Sequence, residues 1–267
     1  MSEFFGFGGY KRTPEGFMSW QHLLFVSIFT LIMIALGIIL GLLNKNKDEK
    51  SKNKVMIWTS ILINFFWILK IIILSIRGNN PTYFLYDLPL FLCSIQFISI
   101  PLATFARGRL KEAALDFVFI FGILGGTMGN YGAGQNFNAY PVLSFDNVVS
   151  AITHSMSGFA SLYIVMAGMQ SMKKNNIWIT FSILVSFCVV AYIVNIILPY
   201  NYMFLMRGDG TPYDIFYNLV NGNKVLYPLI VVLLFLLYIS AFYGVYYLIV
   251  YLNNRHKAKK LESIPQE

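Results

Sequence analysis

The chain has 267 residues, of which 57% are hydrophobic and only 12% charged. A soluble domain carries about 25% charged residues, so this composition excludes an ordinary soluble fold and points to an integral membrane protein. The net charge of +8 would suit nucleic acid if the cations shared one surface, but they fall in short loops between apolar runs, which argues against that partner.

In chain order, residues 1–20 combine FFGFGGY with a Thr-Pro-Glu turn and are expected to form an outer interfacial tail, too glycine-rich for a helix. Apolar runs then recur near 21–43, 55–76, 84–105, 113–130, 148–170, 177–200 and 225–252. Each is long enough to cross a hydrocarbon core of about 30 Å, which takes roughly 20 residues. The first lacks an A-x-A cleavage pattern and follows only Lys11 and Arg12, so it reads as a retained span. The predicted fold is all-α: a polytopic bundle of seven transmembrane helices in one domain (21–252), followed by a basic cytoplasmic tail (253–267).

Basic residues alternate between loops. The first loop holds Lys45, Lys47, Lys50, Lys52 and Lys54, the third Arg107, Arg109 and Lys111, the fifth Lys173 and Lys174, and the tail Arg255, Lys257, Lys259 and Lys260. This positive-inside pattern puts the N-terminus outside and the C-terminus inside a cell membrane, with lipids as partners. Gly122, Gly125, Gly126 and Gly129 in span four form small-xxx-small pairs that read as helix packing. The fourth loop, YGAGQNFNAYPVLSFDN, is expected outside, folded back over the bundle. The long sixth loop, with its Gly208-Asp209-Gly210 turn, reads equally well as a lid or a connector. No internal repeat supports an inverted-repeat transporter.

Cys93 and Cys188 both lie in predicted spans, which excludes a secreted disulfide framework, and with three histidines no metal centre is expected. Polar groups gather in the outer half. Cys93 should lie roughly 13 Å, and His154 roughly 9 Å, below the outer ends of their runs at 1.5 Å per residue. His154, Ser157, Gly158 and Ser161 share one helical face, as do Pro89, Cys93, Gln96 and Ile100, and again Cys188, Tyr192, Asn195 and Pro199. An imidazole that takes a thiol proton makes a nucleophile, so Cys93 and His154 are the candidate catalytic pair. His22, Gln96, Ser157 and Asn195 are candidate supporting or substrate-binding residues. Lys70 is expected to snorkel outward, Asp87 to sit near the interface, Cys188 to be packing, and Asp116 to pair with the nearby basic loop.

LPLFLC at 88–93, Trp20-Gln21-His22-Leu23, the FDNVVSAITHS stretch that carries His154, and the Asn201-Tyr202 pair resemble the YwaF family of bacterial membrane proteins. That family is related to the eukaryotic transmembrane protein 164 acyltransferases. The resemblance implies a helical-bundle enzyme in which Cys93 and His154 handle a lipid acyl group without a cofactor. Family members often carry a polar residue before the Leu-Cys pair, where this chain has Phe91. The leading expectation is a membrane-embedded lipid acyltransferase or acyl-ester hydrolase. The rival is a small-solute binding or transport protein in which His154 carries a proton. A retinal-type sensor is disfavoured because the last span has no lysine.

Overall fold

A computed structural model describes residues 2–262. The helices are α1 (Ser2–Phe5), α2 (Trp20–Asn44), α3 (Glu49–Arg77), α4 (Gln96–Phe105), α5 (Gly108–Tyr131), α6 (Gly134–Ala139), α7 (Phe145–Met166), α8 (Ile177–Ile197), α9 (Asp214–Leu219) and α10 (Leu226–Glu262). Six of them, α2, α3, α5, α7, α8 and α10, are long and apolar enough to cross a membrane, and no strand occurs among the described residues. The chain is a multi-pass helical membrane protein. Side-chain caps start three of the long helices: Ser19 Oγ accepts from His22 N–H, Asp48 Oδ2 from Ser51 N–H and Ser144 Oγ from Asn147 N–H. The last helix continues past 252 into the expected basic tail, whose residues 263–267 lie outside the described residues.

The stretch 84–105 is not one helix. Tyr83–Tyr86 form a single 3₁₀ turn, residues 87–95 are irregular, and regular helix begins only at Gln96. Pro89 accounts for part of the break, since it has no N–H and its ring crowds the preceding turn. The predicted helical face of Pro89, Cys93, Gln96 and Ile100 is therefore corrected: Cys93 precedes the helix rather than lying on it. The segment still runs antiparallel to α3. Lys70 Nζ meets Asp87 Oδ1 at 2.9 Å, Trp67 Nε1 donates to Asp87 O, Asn64 Nδ2 to Phe97 O and Asn53 Nδ2 to Thr104 O. The Asn64 bond has a local cause. Pro101 cannot donate back to the Phe97 carbonyl, and the α3 amide takes its place.

Small residues let α5 and α7 approach. A Cβ on Gly126 would come within 2.7 Å of Gly158 Cα, and one on Gly122 within 2.5 Å of the Ser157 carbonyl oxygen. Ser161 Oγ donates across the same interface to Phe119 O at 2.6 Å. At the opposite end from the N-terminal tail, Asp116 accepts from the backbone N–H groups of Ser171 and Met172 and from Tyr243 Oη. Asp116 therefore latches the α7–α8 loop through its backbone, not through the lysines expected to pair with it.

The tail and fourth loop cap the other end. Phe4 and Phe5 pack on Phe145, Phe17 N–H donates to Asn138 Oδ1, and Val142 N–H donates to Glu15 Oε2. A clasp fastens this cap to the bundle: Arg77 makes two bonds to Asp146, at 2.6 and 2.9 Å, and Tyr10 Oη donates to Asp146 Oδ2 at 2.5 Å. Among the described residues of the tail, the only regular helix is the short α1.

Candidate functional site

Cys93 lies three residues before α4, half-buried, in irregular backbone. The Gln96 amide N–H has no hydrogen-bond acceptor among the described residues, whereas Phe91 N–H is taken by Ser94 Oγ at 3.0 Å. Irregular backbone within apolar bundle depth is tolerated only where protein encloses it or a cavity meets it. A helix start at that depth also leaves donors pointing beyond its first turn. Gln96 adds to them. Its side chain is fully buried, Oε1 accepts from Ser99 Oγ at 2.9 Å, and Nε2 has no partner.

His154 reaches the same place from α7. Its Nδ1 lies 3.2 Å from Ser150 Oγ, its Nε2 has no partner among the described residues, and the residue is half-buried. The ring lies directly on Gly129 of α5, where a Cβ would fall 2.6 Å from Cγ and Nε2. One turn back, a Cβ on Gly125 would lie 3.9 Å from Cys93 Cα and 3.6 Å from Ser157 Cβ. The bare face of α5 thus brings Cys93, Ser157 and His154 together, at neighbouring levels one helical turn apart. No hydrogen bond joins the Cys93 sulfur to the imidazole. The four span-four glycines divide in role: Gly122 and Gly126 meet the α7 backbone, while Gly125 and Gly129 face the candidate site.

A third element, missed at the level of sequence, stands beside them. Lys70 lies within electrostatic range of both the Cys93 thiol and the His154 ring. It turns to Asp87 instead of snorkelling to the bundle end. The signal was present in the sequence as one ammonium inside the apolar run 55–76, but its partner across the bundle was not.

The sixth loop grips the segment leading to Cys93. Tyr202 is fully buried; its Oη donates to Leu85 O at 2.8 Å and accepts from Leu88 N–H at 3.1 Å. Phe91 packs edge-on and tilted among Tyr200, Tyr202 and Phe204. An aromatic wall therefore stands around residue 91.

The other candidates are engaged elsewhere in part. Asn195 is satisfied on both sides by the backbone of Tyr202, through Nδ2 to the carbonyl at 2.9 Å and Oδ1 from the N–H at 2.7 Å. Ser157 Oγ donates to Thr153 O while its Cβ stays against Gly125. His22 is fully buried, accepts from Met18 N–H, sits 3.4 Å from Asn130 O through Nε2, and stacks on Phe137. Cys188 is buried with its sulfur 3.6 Å from that of Met203. An apolar groove of about 360 Å³, lined by Met33, Trp58, Ile152, Met156 and Phe159, opens on the face of α7 opposite His154. Among the described residues no group of three His, Cys, Asp or Glu side chains is placed to hold a metal ion.

A family model described as the TMEM164 family matches residues 17–243. No curated protein and no solved structure matches the chain.

Proposed function

Because the chain belongs to the TMEM164 family, we propose that it acts on a membrane-lipid acyl ester, by transfer or hydrolysis, with Cys93 as nucleophile and His154 as the proton-transfer group. The observation that supports this most is the shared face of α5, with Cys93 against Gly125 and His154 against Gly129.

In this reading His154 Nε2, which has no competing partner, takes the thiol proton. Sulfur attacks the ester carbonyl carbon, and the tetrahedral oxyanion collapses to a Cys93 thioester as the carbon–oxygen bond breaks. His154 returns its proton to the departing alkoxide. Water or an acceptor alcohol then attacks the thioester with His154 again as base, which regenerates the thiol. Gln96, through Nε2 and its backbone N–H at the start of α4, supplies oxyanion donors. Ser157 supports the packing beside Cys93 at Gly125, His22 acts from the neighbouring end of α5 through Asn130, and Asn195 acts through Tyr202. The absence of a sulfur–imidazole bond is compatible with this role, since catalytic hydrogen bonds often tighten only with substrate bound.

The same reading places seven crossings in a cell membrane, the broken 84–105 segment supplying the third, with the tail outside and the site in the outer half. A second reading, solute binding or proton-linked transport, draws on the interrupted helix at Cys93, a device also used for midplane binding sites.

Incubation of purified protein with an activated acyl lipid, followed by intact-mass analysis, tests the covalent step. Wild type is expected to gain an acyl group on Cys93 and none on Cys188. Cys93→Ala abolishes the adduct, and His154→Gln slows it by about 10²–10⁴-fold, the span typical of general-base catalysis. Equal labelling of wild type and Cys93→Ala overturns the mechanism. Dependence of solute uptake on His154 with no adduct would establish the second reading instead.

A further inference from the structure

We propose that Lys70 is a third chemical group of this site: its ammonium, held by Asp87, is the fixed positive charge against which negative charge builds on the Cys93 sulfur and the ester oxygen. This inference rests on the acyl-transfer reading and deepens it.

Placement is the first argument. One turn before Lys70, Trp67 stacks on Phe97 with ring centroids 5.3 Å apart and donates through Nε1 to Asp87 O at 3.1 Å. Cys93 lies in the chain between those two anchors, so the α3 face that carries Lys70 is docked on the segment that carries the thiol. On its other side the segment meets Gly125 of α5, one turn from the Gly129 contact of His154.

The second argument is the incompleteness of the ion pair. Lys70 Nζ and Asp87 Oδ1 are 2.9 Å apart with side-chain exposures of 27% and 24%, so the pair is largely removed from solvent. A pair retained for stability in such a place is expected to satisfy its remaining valences, because partial satisfaction leaves the desolvation cost uncompensated. Here Asp87 Oδ2 is buried with no partner, and the ammonium has only Asp87 among its three possible acceptors within the described residues. Two N–H donors therefore remain for a third polar group.

The third is the composition of the surroundings. The titratable groups near Lys70 or its partner include Asp87, Tyr83, Tyr200, Tyr202, Cys93 and His154. The next cation along α3, Arg77, is two turns away and fully occupied by Asp146, Tyr10 and the Phe5 carbonyl. Lys70 is thus the cation of the site. The thiol proton passes to His154 and then to the leaving alkoxide, while Asp87 positions the ammonium.

The test uses the full chain in detergent with Cys188→Ala as background, so that one thiol remains. Alkylation of Cys93 by iodoacetamide at pH 8 is followed by intact mass, with thermal unfolding as the folding control. Lys70→Met keeps the length and removes the charge; it is expected to slow alkylation about 10-fold or more, the factor that accompanies one unit of differential stabilisation of the thiolate. Lys70→Arg restores most of the rate. A folded Lys70→Met within twofold of wild type overturns the proposal, and so does Lys70→Arg falling as far as Lys70→Met. If Lys70→Met does not fold, Lys70→Gln decides by the same limits: a rate about 10-fold or more below wild type is expected, and a folded Lys70→Gln within twofold of wild type overturns the proposal. Lys70-dependent alkylation without any acyl adduct would sink acyl transfer and leave Lys70's role at the thiol intact. Acylation of Lys70→Met at the wild-type rate would do the reverse.

Discussion

Gly129 presents its bare Cα to the imidazole of His154, with the space of a Cβ lying 2.6 Å from two ring atoms. One turn away, Gly125 faces Cys93 with ordinary van der Waals room, the same construction leaving 3.9 Å to Cys93 Cα. Two glycines on one face of α5 therefore differ in what they permit, and the difference falls on the two candidate catalytic residues.

Gly129→Ala must push the His154 ring aside. Such overpacking costs about 1–3 kcal/mol, and displacement of the base should reduce Cys93 acylation toward the level of His154→Gln. Gly125→Ala should fold as well as wild type or better by about 0.5–1 kcal/mol from helix propensity. Thermal unfolding and adduct formation on both variants measure the contrast; equal behaviour would remove the glycine face from the argument.

Tyr202→Phe deletes one hydroxyl that serves both the Leu85 carbonyl and the Leu88 N–H. Leaving buried groups unpaired costs about 1–3 kcal/mol. The loss should appear locally, as faster amide hydrogen exchange over 85–95 with α5 and α7 unchanged, and Cys93 chemistry should slow with it. Uniformly faster exchange across the bundle would show that Tyr202 supports the whole fold.

The cap clasp should be breakable from either side. Arg77 and Asp146 have side-chain exposures of 18% and 6%, and removing one partner from such a pair leaves the other charge uncompensated, at a cost of about 3 kcal/mol. Arg77→Gln should therefore release the tail and speed trypsin cleavage after the already exposed Lys11 and Arg12 while the helices stay folded. Burial and the bond to Asp146 push the Tyr10 phenol from 10.0 up to about 12. The docked tail holds that proton and the released tail gives it up at lower pH. Docking is thus at full strength below pH 10 and weakens between 10 and about 12. An ultraviolet titration of wild type minus Tyr10→Phe should show the Tyr10 phenolate forming near the upper value; its appearance near the lower one would refute the docked environment.

The alternation of basic loops predicts the orientation. A single cysteine placed at Lys50, in a background lacking Cys93 and Cys188, should resist an impermeant thiol reagent in intact cells, and one placed at Asn138 should react. The opposite pattern would invert the bundle and move the candidate site to the inner half.

The class of this protein was legible in the chain without any contact: apolar runs of membrane length and alternating lysine-rich loops are local properties, set by transfer energy and charge. The convergence of Cys93 and His154 was legible only as compatible depths. Tertiary structure decided the rest. The run 84–105 is apolar throughout, so hydropathy could not distinguish a continuous helix from one that begins at Gln96; Pro89 hinted at the break, and Lys70, Trp67 and Tyr202 hold the irregular part in place. Phase also failed to separate the four glycines of α5, because in a membrane both buried and lipid-facing sides are apolar and a small residue reads as packing in either direction. Lys70 showed itself in sequence as a charge out of place, but its meaning depended on Asp87, Cys93 and His154, which the chain supplies from distant positions and only the bundle brings together.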